Sequence, residues 1–485
     1  MNRKITIDPI TRLEGHGKIE IFLNEEGNVK DAYLQIPELR GFEEFSKGRP
    51  AEDMARITPR ICGVCPSAHM MASAKALDNL YKIDPTSAAK KLRELFYSTF
   101  FVEDHAIHFF YLGGPDFVVG PTAPKGERNI LGVLNKVGLD VGKKVILMRK
   151  QLREILGYFG GKPIHPAWVL PGGVSKGLTE EKRAEFEKVA LEAVEFGKFC
   201  LQIFDDVVLK NKQYIDLITS ESYILRTKHM SMVDSNKKSN FYDGAIRIVD
   251  EDGKLLKEFD VIDYENYFSE IVEPWTYGKF LHMKDCAWNG LNEDRNSGIV
   301  SSTPLSRINA SDGMSTPLAQ AEADKMYSIL GRPSHHTLAV HWARLIELVS
   351  AAERMVELIR DPEITSDNVR TIPTEIPTKG VGAVQAPRGL LVHHYETDSR
   401  GLITKANLLV ATQFNLAPIC MSVKKAATGL IKNGEVNDGL LNMVEMAFRL
   451  YDPCFSCTTH SLLGETPLKV DIYDENKKIY KSLVK

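Results

Sequence analysis

The sequence predicts an α+β protein that is predominantly helical, with a core of long helices and peripheral β-hairpins. Apolar residues recur at helical spacing through several long segments, whereas a few short segments alternate apolar and polar residues. The regular succession of strands and helices that marks a doubly wound parallel sheet does not occur. These observations together favour attached hairpins over a central sheet.

The predicted elements follow one another without a recognisable linker. Hairpins are expected within residues 17–36, 240–270 and 387–412, and helices over 66–81, 87–112, 178–208, 318–330 and 335–359. A last helix near residues 440–451 should stop at Asp452, because the residue before a proline is disfavoured in the α region. We therefore predict a single domain over residues 1–485.

Composition excludes several classes of function. The chain has 485 residues, of which 43% are hydrophobic and 26% charged, and this is ordinary for a globular protein with a large core. A formal net charge of −3 argues against a nucleic-acid or anionic-membrane partner. No apolar run approaches the roughly 18 residues of a membrane span, and the first residues lack the apolar stretch of a signal peptide. We expect a cytoplasmic location.

Four of the seven cysteines form two CxxC pairs, Cys62 with Cys65 and Cys454 with Cys457. In a long chain without a signal peptide, such pairs indicate a metal or redox site rather than disulfides. Pro66 suits the first turn of a helix, which would put Cys65 at the N-cap, where the helix dipole favours a thiolate. If the pairs meet in space, they form one four-thiolate site.

Three interpretations of this site follow from the spacing. Two CxxC pairs suffice for a structural zinc site, although zinc ligands are usually closer together in the sequence. A thioredoxin-like redox pair would need only one CxxC within a βαβ unit, and neither pair has that context. The third interpretation is a catalytic metal centre.

The residues around the cysteines carry a resemblance. The chain is similar to the large subunit of nickel–iron hydrogenases over nearly its whole length, in the motifs RLEGHG (12–17), ELRGFEEF (38–45), RICGVCPSAH (60–69), DHAIHFFYL (104–112), APRGLLVHH (386–394) and DPCFSCTTH (452–460). The segments LGGPDFVVGPTAP and VATQFN resemble the cytosolic multimeric branch of that family.

The resemblance implies an activity and a metal centre. All four thiolates would bind nickel, and Cys65 and Cys457 would bridge to an iron that carries carbon monoxide and cyanide ligands. The activity would be the reversible heterolytic cleavage of dihydrogen to protons and electrons, with the metal as Lewis acid and a thiolate as base. We expect Cys454 to be that base.

The resemblance also assigns residues that handle protons and charge. Glu14 would accept the proton from Cys454, and Arg388 would lie over the open metal position. A buried guanidinium needs acidic partners, and Asp104 and Asp452 are the candidates. Asp104 shares a helical stripe with phenylalanines, so it is expected to face the core.

Further residues would support the centre. By resemblance, a magnesium ion would be held by Glu43, the Leu408 carbonyl and His460, since magnesium prefers oxygen-rich sites. His69 would bond and tune the second cysteine of the first pair, and Thr412 would donate to an iron-bound cyanide.

Partners follow from what the sequence lacks. The three remaining cysteines cannot hold an iron–sulfur cluster, so the resemblance implies an iron–sulfur small subunit, with diaphorase- or ferredoxin-linked electron-transfer subunits beyond it. Two rival functions are the quinone-binding subunit of respiratory complex I, which lacks the cysteine pairs, and a structural zinc protein that scaffolds partners. Residues 461–485 form a C-terminal tail, either a maturation peptide or a retained β-ribbon.

Overall fold

The computed structural model describes residues 3–459, 469–473 and 479–484, and it confirms the predicted α+β class. Helices dominate the core, and the strands form small separate sheets. Within those residues the helices are α1 Phe42–Phe45, α2 Met54–Ile57, α3 Pro66–Leu80, α4 Ser87–Ile107, α5 Gly114–Val118, α6 Ile130–Val137, α7 Leu139–Gly160, α8 Glu180–Phe204, α9 Lys212–Ile218, α10 Pro304–Ala310, α11 Pro317–Leu330, α12 Val340–Ile359, α13 Ala411–Leu430, α14 Asp438–Arg449 and α15 Phe455–Thr458.

The strands pair in short antiparallel groups, apart from one parallel pairing. They are β1 Arg3–Ile7, β2 Lys18–Leu23, β3 Val29–Gln35, β4 Val169–Leu170, β5 Gly173–Val174, β6 Lys228–Val233, β7 Ala245–Val249, β8 Leu255–Phe259, β9 Phe268–Ile271, β10 Phe280–Met283, β11 Val300–Ser301, β12 Lys379–Ala386, β13 Gly389–Thr397, β14 Ile403–Leu409, β15 Lys469–Tyr473 and β16 Ile479–Val484. The larger sheets have the orders β1-β2-β3, β12-β13-β14 and β11-β6-β7-β8, and β11 runs parallel to β6.

Helix α12 lies at the centre of the core. It packs against both α4 and α8, and nearly all of its side chains are buried, as expected for a helix surrounded by other elements. Helix α4 ends at Ile107 and continues as a π-helical segment, His108–Gly113, so the helix predicted over 87–112 has two parts. The change of pitch alters which side chains of this segment face the core.

Two long helices were not predicted. Helix α7 exposes Ile146 and Leu147 to solvent, so its apolar residues do not follow one clean stripe. Helix α13 contains Pro418 and begins with polar residues, both of which argue against a helix in the sequence. In the fold α13 is buried, and tertiary packing outweighs these local preferences.

Segments from the N-terminal and C-terminal parts of the chain meet beside α13, as the predicted fold class requires. Strand β3 packs against this helix. The backbone near Glu14 pairs in parallel with that near Cys454, and the Phe455 amide donates to the Glu14 carbonyl at 3.0 Å. One buried apolar cluster includes residues from Ile10 to Cys457, although the single-domain assignment itself remains a prediction.

The tail contains a hairpin, because β15 and β16 pair antiparallel. Whether residues 461–485 are cleaved or retained remains a prediction, and the intact mass of the mature protein distinguishes the two outcomes. His460 lies outside the described residues. Among the described helices, none has both the length and the apolar character needed to cross a membrane.

Candidate metal centre

The first cysteine pair is shaped by the turn that precedes α3. Cys62 is in an extended conformation, and Cys65 is the N-cap of α3 with Pro66 at the first helical position, as predicted. The amides of Val64 and Cys65 point at the Cys62 sulfur, at 3.2 and 3.3 Å. This turn therefore favours negative charge on Cys62.

The second pair follows a sharp change of chain direction. Helix α14 ends at Arg449, and Asp452 adopts φ +54°, a left-handed conformation that aspartate tolerates better than most residues. Cys454 then caps the short helix α15. The Cys454 amide donates to Thr412 Oγ1 at 3.0 Å, which ties this turn to the start of α13.

The four sulfur atoms form one compact group. The Sγ–Sγ distances are 2.9 Å for Cys454–Cys457, 3.2 Å for Cys62–Cys454, 3.5 Å for Cys65–Cys457 and 3.9 Å for Cys65–Cys454. A tetrahedral metal with metal–sulfur bonds of about 2.3 Å requires sulfur atoms about 3.7 Å apart, so a small expansion would accommodate one. No other cluster of three or more potential ligands occurs in the described part of the chain.

Burial controls the protonation of these thiols. It raises the pKa of Cys454 well above its usual value, and hydrogen bonds with Cys457 and Cys62 raise it further. Burial also raises the pKa of Cys62, but hydrogen bonds from the other three cysteines outweigh that effect and hold its pKa well below the usual range. The metal-free chain thus concentrates negative charge on Cys62, whereas a bound cation would favour all four thiolates.

Glu14 contacts the sulfur of Cys454. The thiol donates to Glu14 Oε2 at 2.9 Å, and the Ser456 amide donates to the same oxygen at 3.2 Å. Burial raises the pKa of Glu14, and negative charge on Cys62 raises it further, against the lowering effect of the hydrogen bonds from Cys454 and Ser456. A carboxylate with a raised pKa beside a thiol is a suitable proton acceptor.

Arg388 joins the two predicted carboxylates in a buried group. Its guanidinium donates to Asp452 Oδ2 at 2.9 Å and to Asp104 Oδ2 at 3.2 Å, and all three side chains are almost fully buried. Burial lowers the pKa of Arg388, but Asp104 and Asp452, together with any negative charge on Cys65 or Cys454, outweigh that effect and raise it well above its usual value.

One oxygen of Asp104 and one nitrogen of Arg388 remain available for hydrogen bonds with a ligand. Asp104 Oδ1 and Arg388 Nε have no hydrogen-bond partner among the described residues, although both atoms are buried. Burial raises the pKa of Asp104 to about 7, and this rise is opposed by Arg388 and reinforced by Asp452. Unpaired polar atoms beside four thiolates fit a centre whose metal carries small polar ligands.

A second arginine reaches this group and was missed from the sequence. Arg344 of α12 lies 3.4 Å from Asp452 Oδ2, and its side chain is fully buried. The same guanidinium lies 3.4 Å from Nδ1 of His105, whose Nε2 contacts Glu347 at 3.1 Å. The sequence signal that could have indicated a role for Arg344 is the presence of charged residues on the otherwise apolar face of α12.

His69 contacts both cysteine pairs. Its Nε2 lies 3.5 Å from Cys457 Sγ and its amide donates to the Cys65 carbonyl at 3.4 Å, whereas the expected bond to the Cys65 sulfur remains a prediction. Its Nδ1 lies 3.1 Å from His393 Nε2, and His393 Nδ1 lies 2.6 Å from the hydroxyl of Tyr395.

The predicted magnesium ligands are partly brought together. Glu43 Oε1 accepts a hydrogen bond from the Leu408 amide at 2.8 Å, so this carboxylate lies beside the predicted carbonyl ligand. The third predicted ligand, His460, lies outside the described residues. Thr412 uses its hydroxyl oxygen as an acceptor for Cys454, which leaves the hydroxyl proton available for a ligand of the centre.

Comparisons with known proteins agree with this geometry. Residues 40–128 and 299–460 match the family described as nickel-dependent hydrogenase, and residues 4–39 match one described as HoxL-like. The chain is 47% identical over 483 residues to an F420-non-reducing hydrogenase iron-sulfur subunit of Archaeoglobus profundus, covering 99% of both chains. It is 37% identical over 490 residues to the NAD-reducing hydrogenase HoxS subunit beta of Cupriavidus necator, covering 98% of both.

A solved structure has the same fold. A crystal structure of an NAD+-reducing NiFe hydrogenase in the H2-reduced state superposes with a TM-score of 0.88 at 33% sequence identity. The superposition covers 94% of the present chain and 99% of the other.

Proposed function

The chain belongs to the nickel-dependent hydrogenases as their catalytic subunit, and from that premise we propose how its residues cleave dihydrogen. Cys62, Cys65, Cys454 and Cys457 would hold nickel, and Cys65 and Cys457 would also hold an iron that carries carbon monoxide and cyanide. When bound, this centre supplies the Lewis acid that polarises dihydrogen. The reaction is a reversible heterolytic cleavage to protons and electrons.

The contact between Cys454 and Glu14 carries the proposal. Heterolytic cleavage needs a base beside the metal and a second group that removes the proton from that base. Cys454 Sγ is a member of the four-thiolate group and lies 2.9 Å from Glu14 Oε2, within the range for direct proton transfer. Cys454 therefore serves as the base, and Glu14 accepts its proton. A structural zinc site would not require this arrangement.

Arg388 and its two carboxylates provide fixed charge above the thiolates. Asp104 and Asp452 orient the guanidinium through separate nitrogens, and its unpaired Nε–H can address a small ligand of the centre. Because the group is buried, its electrostatic effect on the centre is stronger than it would be in water. We assign these three residues to the positioning of ligands and substrate.

Supporting residues complete the centre. His69 would donate toward Cys457 and tune that thiolate, and Thr412 would donate to a cyanide ligand of the iron. Glu43, the Leu408 carbonyl and His460 would hold magnesium. The contact between Glu43 and the Leu408 amide supports the first two of these ligands.

Electrons leave through partner subunits. The related proteins from Archaeoglobus profundus and Cupriavidus necator are named as subunits of larger hydrogenases, which supports a multimeric assembly. The four clustered cysteines are committed to one centre, so an iron–sulfur small subunit is required to receive the electrons. Diaphorase- or ferredoxin-linked subunits act beyond it. We propose a cytoplasmic location, and cell fractionation tests it.

Infrared spectroscopy of the purified complex tests the metal centre. We expect bands from iron-bound carbon monoxide and cyanide, together with nickel and iron by elemental analysis. A matched preparation carrying Cys62→Ala should lose nickel, because one of its four ligands is missing. Zinc as the metal, together with an infrared spectrum without these bands, would overturn the proposal.

A further inference from the structure

A line of polar side chains leads from Glu14 to the protein surface. Ser456 meets the Glu14 carboxylate through its backbone amide, at 3.2 Å, and through a hydrogen bond of its hydroxyl. The same hydroxyl lies 3.3 Å from Glu38 Oε2. The other carboxylate oxygen of Glu38 lies 2.9 Å from Nδ1 of His16. The His16 side chain is 78% exposed, so the line ends in solvent.

The backbone at Gly15 allows this line to form. Gly15 has φ +85°, and a Cβ at this position would lie only 2.9 Å from both Glu38 Oε1 and the Ser456 amide nitrogen. Glycine is the residue that tolerates this conformation and leaves the space free. The His16 amide also donates to Glu38, which fixes the carboxylate against the glycine turn.

The polar group on the other side of the sulfur atoms is unsuited to proton release. Arg388 and Arg344 remain protonated and cannot pass a proton on. Burial lowers the pKa of His105, the next member, to about 3, and its partner Glu347 is fully buried and paired with Arg307. The group of Arg388, Arg344 and His105 therefore holds charges in fixed positions, whereas the line of polar side chains through Glu38 reaches water.

We propose that Glu38 and His16 form the proton exit of this enzyme, an inference that rests on the proposed role of Glu14. Glu14 gives its proton to Ser456 Oγ while the Ser456 hydroxyl proton moves to Glu38 Oε2. Glu38 rotates about its last side-chain bond and gives that proton to His16 Nδ1. The imidazolium ring releases one proton to water, so one proton leaves for each proton that enters the line, and no electrons move.

The variant Glu38→Gln tests the middle of the line, because an amide at this position does not accept and release a proton. We expect exchange between deuterium gas and solvent protons to slow by at least about 10-fold in the complex. Metal content, the infrared bands and the thermal unfolding midpoint should stay unchanged. Glu25→Gln, on the exposed turn between β2 and β3, is the matched control and should exchange at the wild-type rate.

The variant His16→Ala tests the exit itself. Exchange should slow, and added imidazole should restore much of the rate, because the exposed position is open to a small base. A residue with only a structural role would not respond to imidazole. Wild-type exchange in both His16→Ala and Glu38→Gln, or no response to imidazole, would overturn the proton exit. If Glu38→Gln does not bind the metals, the exchange rate and the imidazole response of His16→Ala decide whether the proton exit is correct.

Chemical labelling provides a measurement that does not depend on turnover. Diethyl pyrocarbonate should modify His16 in the assembled complex, as mass spectrometry of its peptides would show. Protection of His16 in the complex would rule out a release of protons to water at this residue. Slow exchange in Glu14→Gln with normal exchange in Glu38→Gln would reject the exit and leave the proposed function intact. A wild-type complex without bands from iron ligands would reject the proposed function.

Discussion

Cys454 differs from the other three cysteines of the centre in its surroundings. Of these four, Cys454 is the one whose sulfur meets a carboxylate among the described residues, whereas Cys62 accepts from backbone amides and Cys457 contacts a histidine. This contact supports the proposed role of Cys454 as the base.

Replacement of the base should abolish activity. Cys454→Ser removes a soft, polarisable ligand and substitutes a hydroxyl that is a poor ligand for nickel and a poor proton carrier. We expect dihydrogen-dependent dye reduction to fall to background. Cys286→Ser is the control, because Cys286 lies outside the sulfur group and is only partly buried. Near-normal activity in Cys454→Ser would refute its role as the base.

Arg388 should not tolerate lysine. The guanidinium reaches Asp104 and Asp452 through two different nitrogens, and the single ammonium of lysine cannot reproduce this geometry. We expect Arg388→Lys to lower kcat by at least about 10-fold while nickel and iron stay bound. In the control Arg400→Lys, where the arginine pairs with Asp398 at the surface, kcat should not change. An unchanged kcat in Arg388→Lys would contradict the assigned role.

At the level of elements, one carboxylate connects the segments that carry the acceptor and the base. Asp116 of α5 accepts from Arg12 at 2.5 Å and from Arg449 at 2.7 Å. Arg12 precedes Glu14 by two residues, and Arg449 ends the helix that leads to Cys454. Burial raises the pKa of Asp116, but the two arginines outweigh it and leave the pKa below its usual value.

Neutralisation of this carboxylate should affect both stability and proton transfer. Asp116→Asn leaves two buried arginines with weaker partners, and we expect a loss of about 3 kcal/mol in the free energy of unfolding. The Glu14 segment should also shift, which would slow deuterium exchange. Asp140→Asn, which removes an exposed ion pair with Lys143, should change neither quantity measurably. Unchanged urea unfolding in Asp116→Asn would contradict the structural link.

The helices and strands differ in how well the local sequence pattern predicts them. The hairpins at residues 17–36 and 387–412 and the helices that became α3, α11 and α12 could be predicted, because their periodicity is regular. Helix α13 could not, because Pro418 and a polar first turn oppose it locally. The start of α3 was predictable from Pro66, but the π-helical end of α4 depends on packing that no short segment encodes.

At the scale of the whole molecule, folding itself assembles the centre. The sulfur atoms come from the two ends of the chain, so a sequence can supply the candidates but not the distances between them. The four cysteines, Glu14 and Asp104 were predictable from motifs and periodicity. The line through Glu38 and His16 was not, because it depends on the close approach of two distant segments at Gly15.

Buried histidines should make the whole fold sensitive to acid. Burial lowers the pKa of His105, His229 and His341 to about 3 in the folded protein, against about 6.5 in the unfolded chain. Their contribution to stability is therefore complete above pH 6.5 and is lost progressively as the pH falls toward 3. Each group lowers the free energy of unfolding by up to about 1.4 kcal/mol per pH unit in that range.

Urea unfolding of wild type and His229→Gln between pH 7.5 and 5 measures this effect. His229 lies apart from the sulfur group, beside Ser306 and Asn309, and glutamine does not titrate. Below pH 6 the free energy of unfolding should fall with decreasing pH less steeply in the variant than in the wild type, by about 1.4 kcal/mol per pH unit. Identical slopes for the two proteins would show that His229 is not held neutral by burial.

The exchange of deuterium gas with solvent protons in Glu14→Gln tests the central claim most directly, because it follows the proton after it leaves Cys454. Glutamine keeps the size of the side chain but cannot accept the proton, so we expect exchange to slow by about 10²- to 10⁴-fold. Nickel, iron and the infrared bands should remain as in the wild type. Wild-type exchange with the metals bound would contradict the account, and loss of the metals would make Glu14 a structural residue instead.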